Sequence, residues 1–142
     1  MRIIIGGGGR VGTELARALR NEDKDVVLID NDPRAVKNAQ GIDILVLHGD
    51  VTQRSKFSEA GIEHAQVYIA ATDSDERNII SCALAKHAHK EATRGKRELL
   101  TICRIRNPNF IEEEKSGKLA QWAGVDQVVQ PVDGAIERLM SG

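Results

Sequence analysis

The chain has 142 residues, 41% of them hydrophobic and 29% charged, with a formal net charge of −1. That length suits one domain with its own core, and the near-neutral charge excludes broad electrostatic binding to nucleic acid or to an anionic membrane. Aromatics are only 3%, which leaves the core to Ile, Val, Leu and Ala, as in parallel strands covered by helices.

Apolar runs and helical patterns alternate along the chain. Ile3-Ile4-Ile5 reads as a short buried strand, and Val11, Leu15 and Leu19 mark one face of the helix after it. DVVLID (25–30) is a second strand. The segment 32–40 opens as a helix, with Asp32 as N-cap and Pro33 at the first helical position. DILVLHGD (43–50) is a third strand, and 52–61 a short helix closed by Gly61. AQVYIAAT (65–72) is a fourth strand, followed by a long helix from about Ser74 to His89 or beyond. ELLTICRIR (98–106) is a fifth strand, 107–124 is helical with a break expected at Gly117, and DQVVQP (126–131) is a short sixth strand. Residues 132–142 have the pattern of a last helix.

Such strand–helix alternation predicts a mostly parallel α/β sheet with helices on both faces and right-handed crossovers. The expected architecture is a Rossmann-type, doubly wound six-stranded sheet in the order 3-2-1-4-5-6. Its ligand crevice falls at the carboxyl ends of strands one and four.

Between the first strand and the first helix lie four consecutive glycines, an arrangement that is costly to order. Gly7, Gly9 and Gly12 form G-x-G-x-x-G, and strand before and helix after supply the context that turns this loose pattern into a dinucleotide fingerprint. Gly7 permits the tight turn, Gly9 lets a pyrophosphate approach the backbone, and Gly12 lets the helix lie close on the strand. Gly8 and Val11 complete the loop whose amides face the phosphates. Arg10 either covers the phosphates or stands in solvent.

Strand two ends in Asp30, at the distance where an acid accepts hydrogen bonds from the adenosine ribose. The competing reading is that Asp30 only starts the Asn31-Asp32-Pro33 turn. Acids beside Asp30 and Asn31 favour NAD(H) over a 2′-phosphorylated dinucleotide, with Arg34 the one contrary sign; ATP or ADP would present the same adenosine and phosphates. HGDVT (48–52) closes strand three where the adenine is expected, and Thr72, Asp73 and Ser74 close strand four on the other side of the switch point. There Ser74 or Asp75 is equally an N-cap of the long helix.

The stretches MRIIIGGGGRVG, VVLIDNDP, LHGDVT, AGIEHAQVYIAATDSDERNI and ICRIRNPNF together resemble the N-terminal domains of Trk-type potassium-uptake regulators, also called RCK or KTN domains, over residues 1–131. The resemblance implies a regulatory, non-catalytic Rossmann domain that binds NAD(H), or ATP and ADP in close relatives. It implies homodimers, often octameric rings, lying on the cytosolic face of an integral-membrane potassium transporter or channel and gating it by nucleotide-dependent shape change. Carried over, Gly7 to Gly12 form the phosphate loop and Asp30 is the ribose acid. The adenine lies by Asp50, Val51 and Thr52. Thr72, Asp73 and Ser74 meet the distal half, and Arg104 on strand five lies near the nucleotide. The segment 132–142 is expected as a helix that crosses to a second subunit.

Three departures stand out. Gly6 and Gly8 replace an aliphatic residue and an alanine, which is expected to loosen the loop. The segment 89–97 is longer than usual. No second ligand-binding domain is expected within these residues, although many relatives have one.

Other classes find less support. A small NAD-dependent oxidoreductase needs an acid or base beside the nicotinamide, and six strands leave no room for a substrate domain. His48 is more readily a positioned strand residue than a proton donor. KHAHKEATRGKR (86–97) reads as a solvated helix end and loop, or as a patch for an acidic partner. His87 and His89 point to different sides of a helix. Cys82 and Cys103 sit in no paired motif, which points to core packing and a reducing cytoplasm rather than metal binding or disulfides.

Overall fold

A computed structural model describes residues 1–129 of the chain. Its strands are β1 (Arg2–Gly6), β2 (Asp25–Asp30), β3 (Leu45–His48), β4 (Ala65–Ala70), β5 (Leu100–Arg104) and β6 (Gln127–Val129). The helices are α1 (Arg10–Asn21), α2 (Arg34–Asn38), α3 (Arg54–Glu59), α4 (Asp75–Thr93), α5 (Pro108–Lys115) and α6 (Lys118–Ala123). The six strands form one parallel sheet in the order β3-β2-β1-β4-β5-β6. The expected doubly wound topology is therefore the one found. The helix expected over 132–142 lies outside the described residues.

Strand alternation divides the core. Ile3, Ile5, Val26, Leu28, Val67, Ile69 and Ile102 face α1, meeting Leu15, Ala16 and Leu19. Ile4, Val27, Ile29, Tyr68, Ala70 and Cys103 face the other way, onto Phe57 of α3, Ile79, Cys82 and Ala85 of α4 and Leu119 of α6. Each fully buried isoleucine of β1 contributes roughly 1.5–3 kcal/mol by leaving water. From the adjacent strands β1 and β4 the chain thus departs to opposite faces, opening a crevice at their carboxyl ends.

Element ends differ from expectation for local reasons. Pro33 rather than Asp32 is the N-cap of α2; Asp32 stands one residue earlier, where its side chain accepts from the Arg34 N–H at 2.9 Å in an Asx turn that leads into the helix. Gly61 (φ 73°) ends the α3 segment but leads into a 3₁₀ turn over Ile62–His64 that periodicity does not signal. The break at Gly117 is real: its φ of 77° lies in the left-handed region and separates α5 from α6.

The expected loosening at Gly6 is not what the packing shows. A Cβ on Gly6 would run into the Tyr68 hydroxyl and come within 2.9 Å of Val51 Cγ1. Tyr68 fills that space, with its ring edge-on to Phe57 at 5.2 Å and its hydroxyl donating to Ser81 Oγ at 2.8 Å. Gly8 is similarly hemmed in, with Ala35 Cβ 2.9 Å from where its own Cβ would stand. The two histidines of α4 also part company: His87 is exposed beside Arg54, whereas His89 is buried.

Candidate functional site

The crevice above β1 and β4 holds a cleft of about 330 Å³, within the range of ordinary ligand pockets. Five chain segments wall it: the glycine loop, the end of β2 from Ile29 to Asp32, Ala35 and Asn38 of α2, the Asp50-Val51 turn, and Ala71 to Ser74 with Arg77.

The glycine loop is built by close backbone approach. Gly7 has φ 115°, and a Cβ there would come within 2.9 Å of the Ala71 carbonyl carbon and the Thr72 nitrogen. A Cβ on Gly12 would collide with the Gly7 carbonyl oxygen, so the first turn of α1 lies directly against the end of β1. At Gly9 the situation is reversed: a Cβ there would meet nothing within 4 Å. Nothing among the described residues demands a glycine at that place, and its bare backbone borders the cleft.

The amino end of α1 is open. Gly9 is its N-cap and offers no side chain, and no acid occupies the first turn. By contrast, Ser74 Oγ accepts from the Arg77 N–H at 3.2 Å at the start of α4, followed by Asp75 and Glu76. The early amides of α1 are therefore the ones left to an outside acceptor, reinforced by the helix dipole. Thr13 steadies the loop, donating to the Gly8 carbonyl at 2.8 Å.

Asp30 ties strand to loop. Its Oδ2 accepts from the Gly8 N–H, and its Oδ1 from the Asp32 N–H at 2.7 Å. It starts the turn and also lines the cleft. Asn31 also lines the cleft, and its carbonyl oxygen lies 2.9 Å from His48 Nε2.

At the end of β3, Asp50 Oδ1 accepts from the Thr52 N–H and hydroxyl at 2.9 and 2.8 Å, and from Arg77 Nη1 at 2.7 Å. The Arg77 guanidinium, then Thr52, hold the Asp50 carboxyl down at about 2. Across the switch point, Asn78 is the clamp. Its Oδ1 accepts from the Thr72 N–H at 3.0 Å and hydroxyl at 2.6 Å, and its amide donates to the carbonyls of Thr72 and Arg104 at 3.1 and 2.8 Å.

Among the residues expected from the sequence, Gly7, Gly8, Gly9, Asp30, Asn31, Asp50, Val51, Thr72, Asp73 and Ser74 line one cleft. Arg10, Val11, Gly12, Thr52 and Arg104 do not line it. Arg10 extends from α1 toward Glu14, with 89% of its side chain exposed. Arg104 stands behind the Thr72-Asp73 turn, 3.4 Å from the Thr72 carbonyl. Arg77 lines the cleft without having been singled out. The available signal is its place in the first turn of α4, where the dipole disfavours a cation and a carboxylate partner is needed.

The TrkA-N domain model matches residues 3–131. The chain belongs to the TrkA-N family. Curated relatives include the Trk system potassium uptake protein TrkA homologs of Methanothermobacter thermautotrophicus, 36% identical over 99% of this chain and 61% of that protein, and of Pyrococcus abyssi, 37% identical over 94% and 56%. The chain thus spans about three-fifths of those relatives. Among solved structures, the TrkA-N domain of the Escherichia coli inner membrane protein ybaL has the same fold, with TM-score 0.73 at 17% identity over 99% of this chain and 94% of that one. The structure of GsuK bound to ADP superposes with TM-score 0.66 at 27% identity, over 99% of this chain and 33% of that one. The GsuK channel bound to NAD does so with TM-score 0.66 at 22% identity, over 92% and 21%. In the described residues of the TrkA-N chain, no helix is long and apolar enough to cross a membrane.

Proposed function

We propose that this TrkA-N domain is a regulatory, non-catalytic subunit or module of a potassium-uptake system, and that it senses an adenine nucleotide, NAD(H) first and ADP or ATP as alternatives. The observation that carries this reading is the pairing of an uncapped helix start with open space over Gly9, with Asp30 beside the loop in the same cleft. The Trk names of its relatives and the NAD- and ADP-bound states of GsuK support it.

In this reading the amides at the start of α1 receive the phosphates, and Asp30, which has lone pairs beyond its two backbone bonds, accepts from the ribose. Asp50, Val51 and Thr52 border the adenine. Thr72, Asp73 and Ser74 meet the distal half of a dinucleotide, steadied from behind by Asn78 and Arg104. NAD(H) supplies charge and shape for binding here, with no reaction drawn from it. Ligand bound better by one of two arrangements shifts the population between them, and a membrane potassium channel or transporter reads that shift from the cytosolic side. The domain works as a homodimer or a larger ring, with 1–131 as the nucleotide-binding unit.

Thermal denaturation with NAD⁺, NADH, NADPH, ATP and ADP tests the proposal. A true ligand at a hundred times its dissociation constant adds about 2.7 kcal/mol to stability. Asp30→Ala is expected to abolish that ligand-induced increment; an unchanged increment overturns the ribose assignment. Steady turnover of a 2-hydroxy acid or an aldehyde with NAD⁺ would overturn the regulatory reading in favour of an oxidoreductase.

A further inference from the structure

The described lining of the cleft carries four carboxylates, Asp30, Asp32, Asp50 and Asp73, against one guanidinium, Arg77. Other cations serve from outside that lining: Arg34 pairs with Asp32 at 2.9 Å with 82% of its side chain exposed, and Arg104 Nη1 stands 3.5 Å from Asp73. A nucleotide is itself an anion, so its phosphates enter a field that the lining makes unfavourable. The open end of α1 offsets this by the equivalent of only about half a charge.

Arg77 is placed to offset the rest. It occupies the third position of α4, and its guanidinium spans to the β3 end, where Nη1 bonds Asp50 Oδ1 at 2.7 Å. A guanidinium has further donors once one is engaged, and the Arg77 side chain is 46% exposed at the cleft wall. Because Asp50 stays ionised down to about pH 2, the pair keeps both charges at any working pH.

We propose that Arg77 is the specificity-determining residue of this cleft, offsetting its carboxylates and so setting how much negative charge the bound nucleotide brings. The inference rests on the nucleotide-binding reading above and deepens it. ATP carries several more negative charges than NAD⁺, and the adenosine half is common to both. The ratio of their dissociation constants therefore cancels the shared contacts and isolates charge.

The test is calorimetric titration of NAD⁺, ADP and ATP into the chain and its variants at low salt. Arg77→Gln is expected to raise the ATP-to-NAD⁺ ratio of dissociation constants about three- to tenfold, with ADP between, as Coulomb interactions at roughly 8–10 Å in screened water imply. Asp50→Asn, which removes a carboxylate and leaves Arg77 in place, is expected to lower the same ratio by a similar factor. Arg77→Lys is expected to leave it unchanged. A purely structural role would move the ratio in neither direction. Ratios within twofold of wild type for both charge-changing variants, or a shift of both in the same direction, overturn the inference while leaving the nucleotide site intact. Should Arg77→Gln lose its cooperative melting, Asp50→Asn alone decides, since its ratio must fall. A wild-type chain that binds none of the three nucleotides overturns both readings.

Discussion

The hydroxyl of Tyr68 occupies the space in which a side chain on Gly6 would begin, and it donates from there to Ser81 Oγ at 2.8 Å. The last residue of β1 and the middle of β4 are thereby a matched pair, bulk on one strand against none on the other. Gly6→Ala is expected to destabilise the fold by about 1–3 kcal/mol, the usual cost of overpacking. In a Tyr68→Phe background the hydroxyl is gone and the penalty should shrink, although Val51 Cγ1 still lies 2.9 Å from the new methyl. A double-mutant cycle by urea denaturation measures the coupling. Strictly additive effects would show that the two positions do not share this space.

Two glycines of the fingerprint should separate folding from binding. At Gly12 the added carbon would strike the Gly7 carbonyl oxygen, whereas at Gly9 it would meet nothing within 4 Å and the backbone is extended (φ −65°, ψ −168°). Gly12→Ala is expected to cost about 3 kcal/mol or more, since backbone must move. Gly9→Ala is expected to change stability by no more than about 1 kcal/mol and still to weaken nucleotide binding tenfold or more by fending off the phosphates. Chemical denaturation reads the first effect and calorimetry the second. Full affinity in Gly9→Ala would mean that no phosphate approaches there.

What the sequence made legible was what local pattern encodes. Apolar runs such as Ile3-Ile4-Ile5 and DVVLID are long enough to stand out, and their alternation with helical periods dictates a parallel sheet. The glycine spacing and Asp30 mark one wall of the cleft because both lie in a single strand–helix–strand unit. Asp50 is expected beside the adenine, but its bond to Arg77 escapes such a reading. The two come together only because the sheet order sets β3 and the start of α4 around the same crevice. Asn78 is hidden for the same reason, since its partners Thr72 and Arg104 close two different strands. Cys82 and Cys103 are distant in sequence yet face each other in the core, where burial and then the neighbouring Cys103 thiol push Cys82 upward. The departure of Gly6 from the family pattern also misleads, because a missing side chain says nothing about which neighbour fills the gap, here the Tyr68 hydroxyl.

The bond from Arg77, aided by Thr52, lowers the Asp50 carboxyl from an ordinary 3.8 to about 2. A depressed carboxylate contributes its stability above the unfolded-state value and loses it as pH falls through the folded one. Because the Arg77 side chain is half in solvent, the contribution is on the order of 1–2 kcal/mol after allowance for screening. Asp50→Asn should therefore be less stable than wild type near pH 6, and the gap should close as pH falls from about 4 toward 2. Denaturant titrations across that range measure it. A gap that stays constant with pH would assign the loss to packing rather than charge.

His89 provides a second pH dependence, of opposite chemical origin. It lies on the inner face of α4, 1% exposed, and its Nε2 reaches no hydrogen-bond partner among the described residues. Burial lowers its pKa below the ordinary 6.5; the bond to the Ala65 backbone pulls the other way, while the charges of Arg97 and Lys86 add to the lowering. In the unfolded chain the imidazole takes up a proton as pH falls through about 6.5, while in the folded chain it resists until lower pH. The unfolded state then binds more protons over that interval, so stability falls as pH drops below about 6.5. His89→Leu keeps an apolar side chain of similar bulk and removes the titration. Its stability should be nearly flat from about pH 7.5 to 5.5, where wild type slopes downward, even if loss of the Ala65 bond lowers the whole curve. Parallel curves for the two proteins would show that His89 is as free to protonate in the fold as outside it.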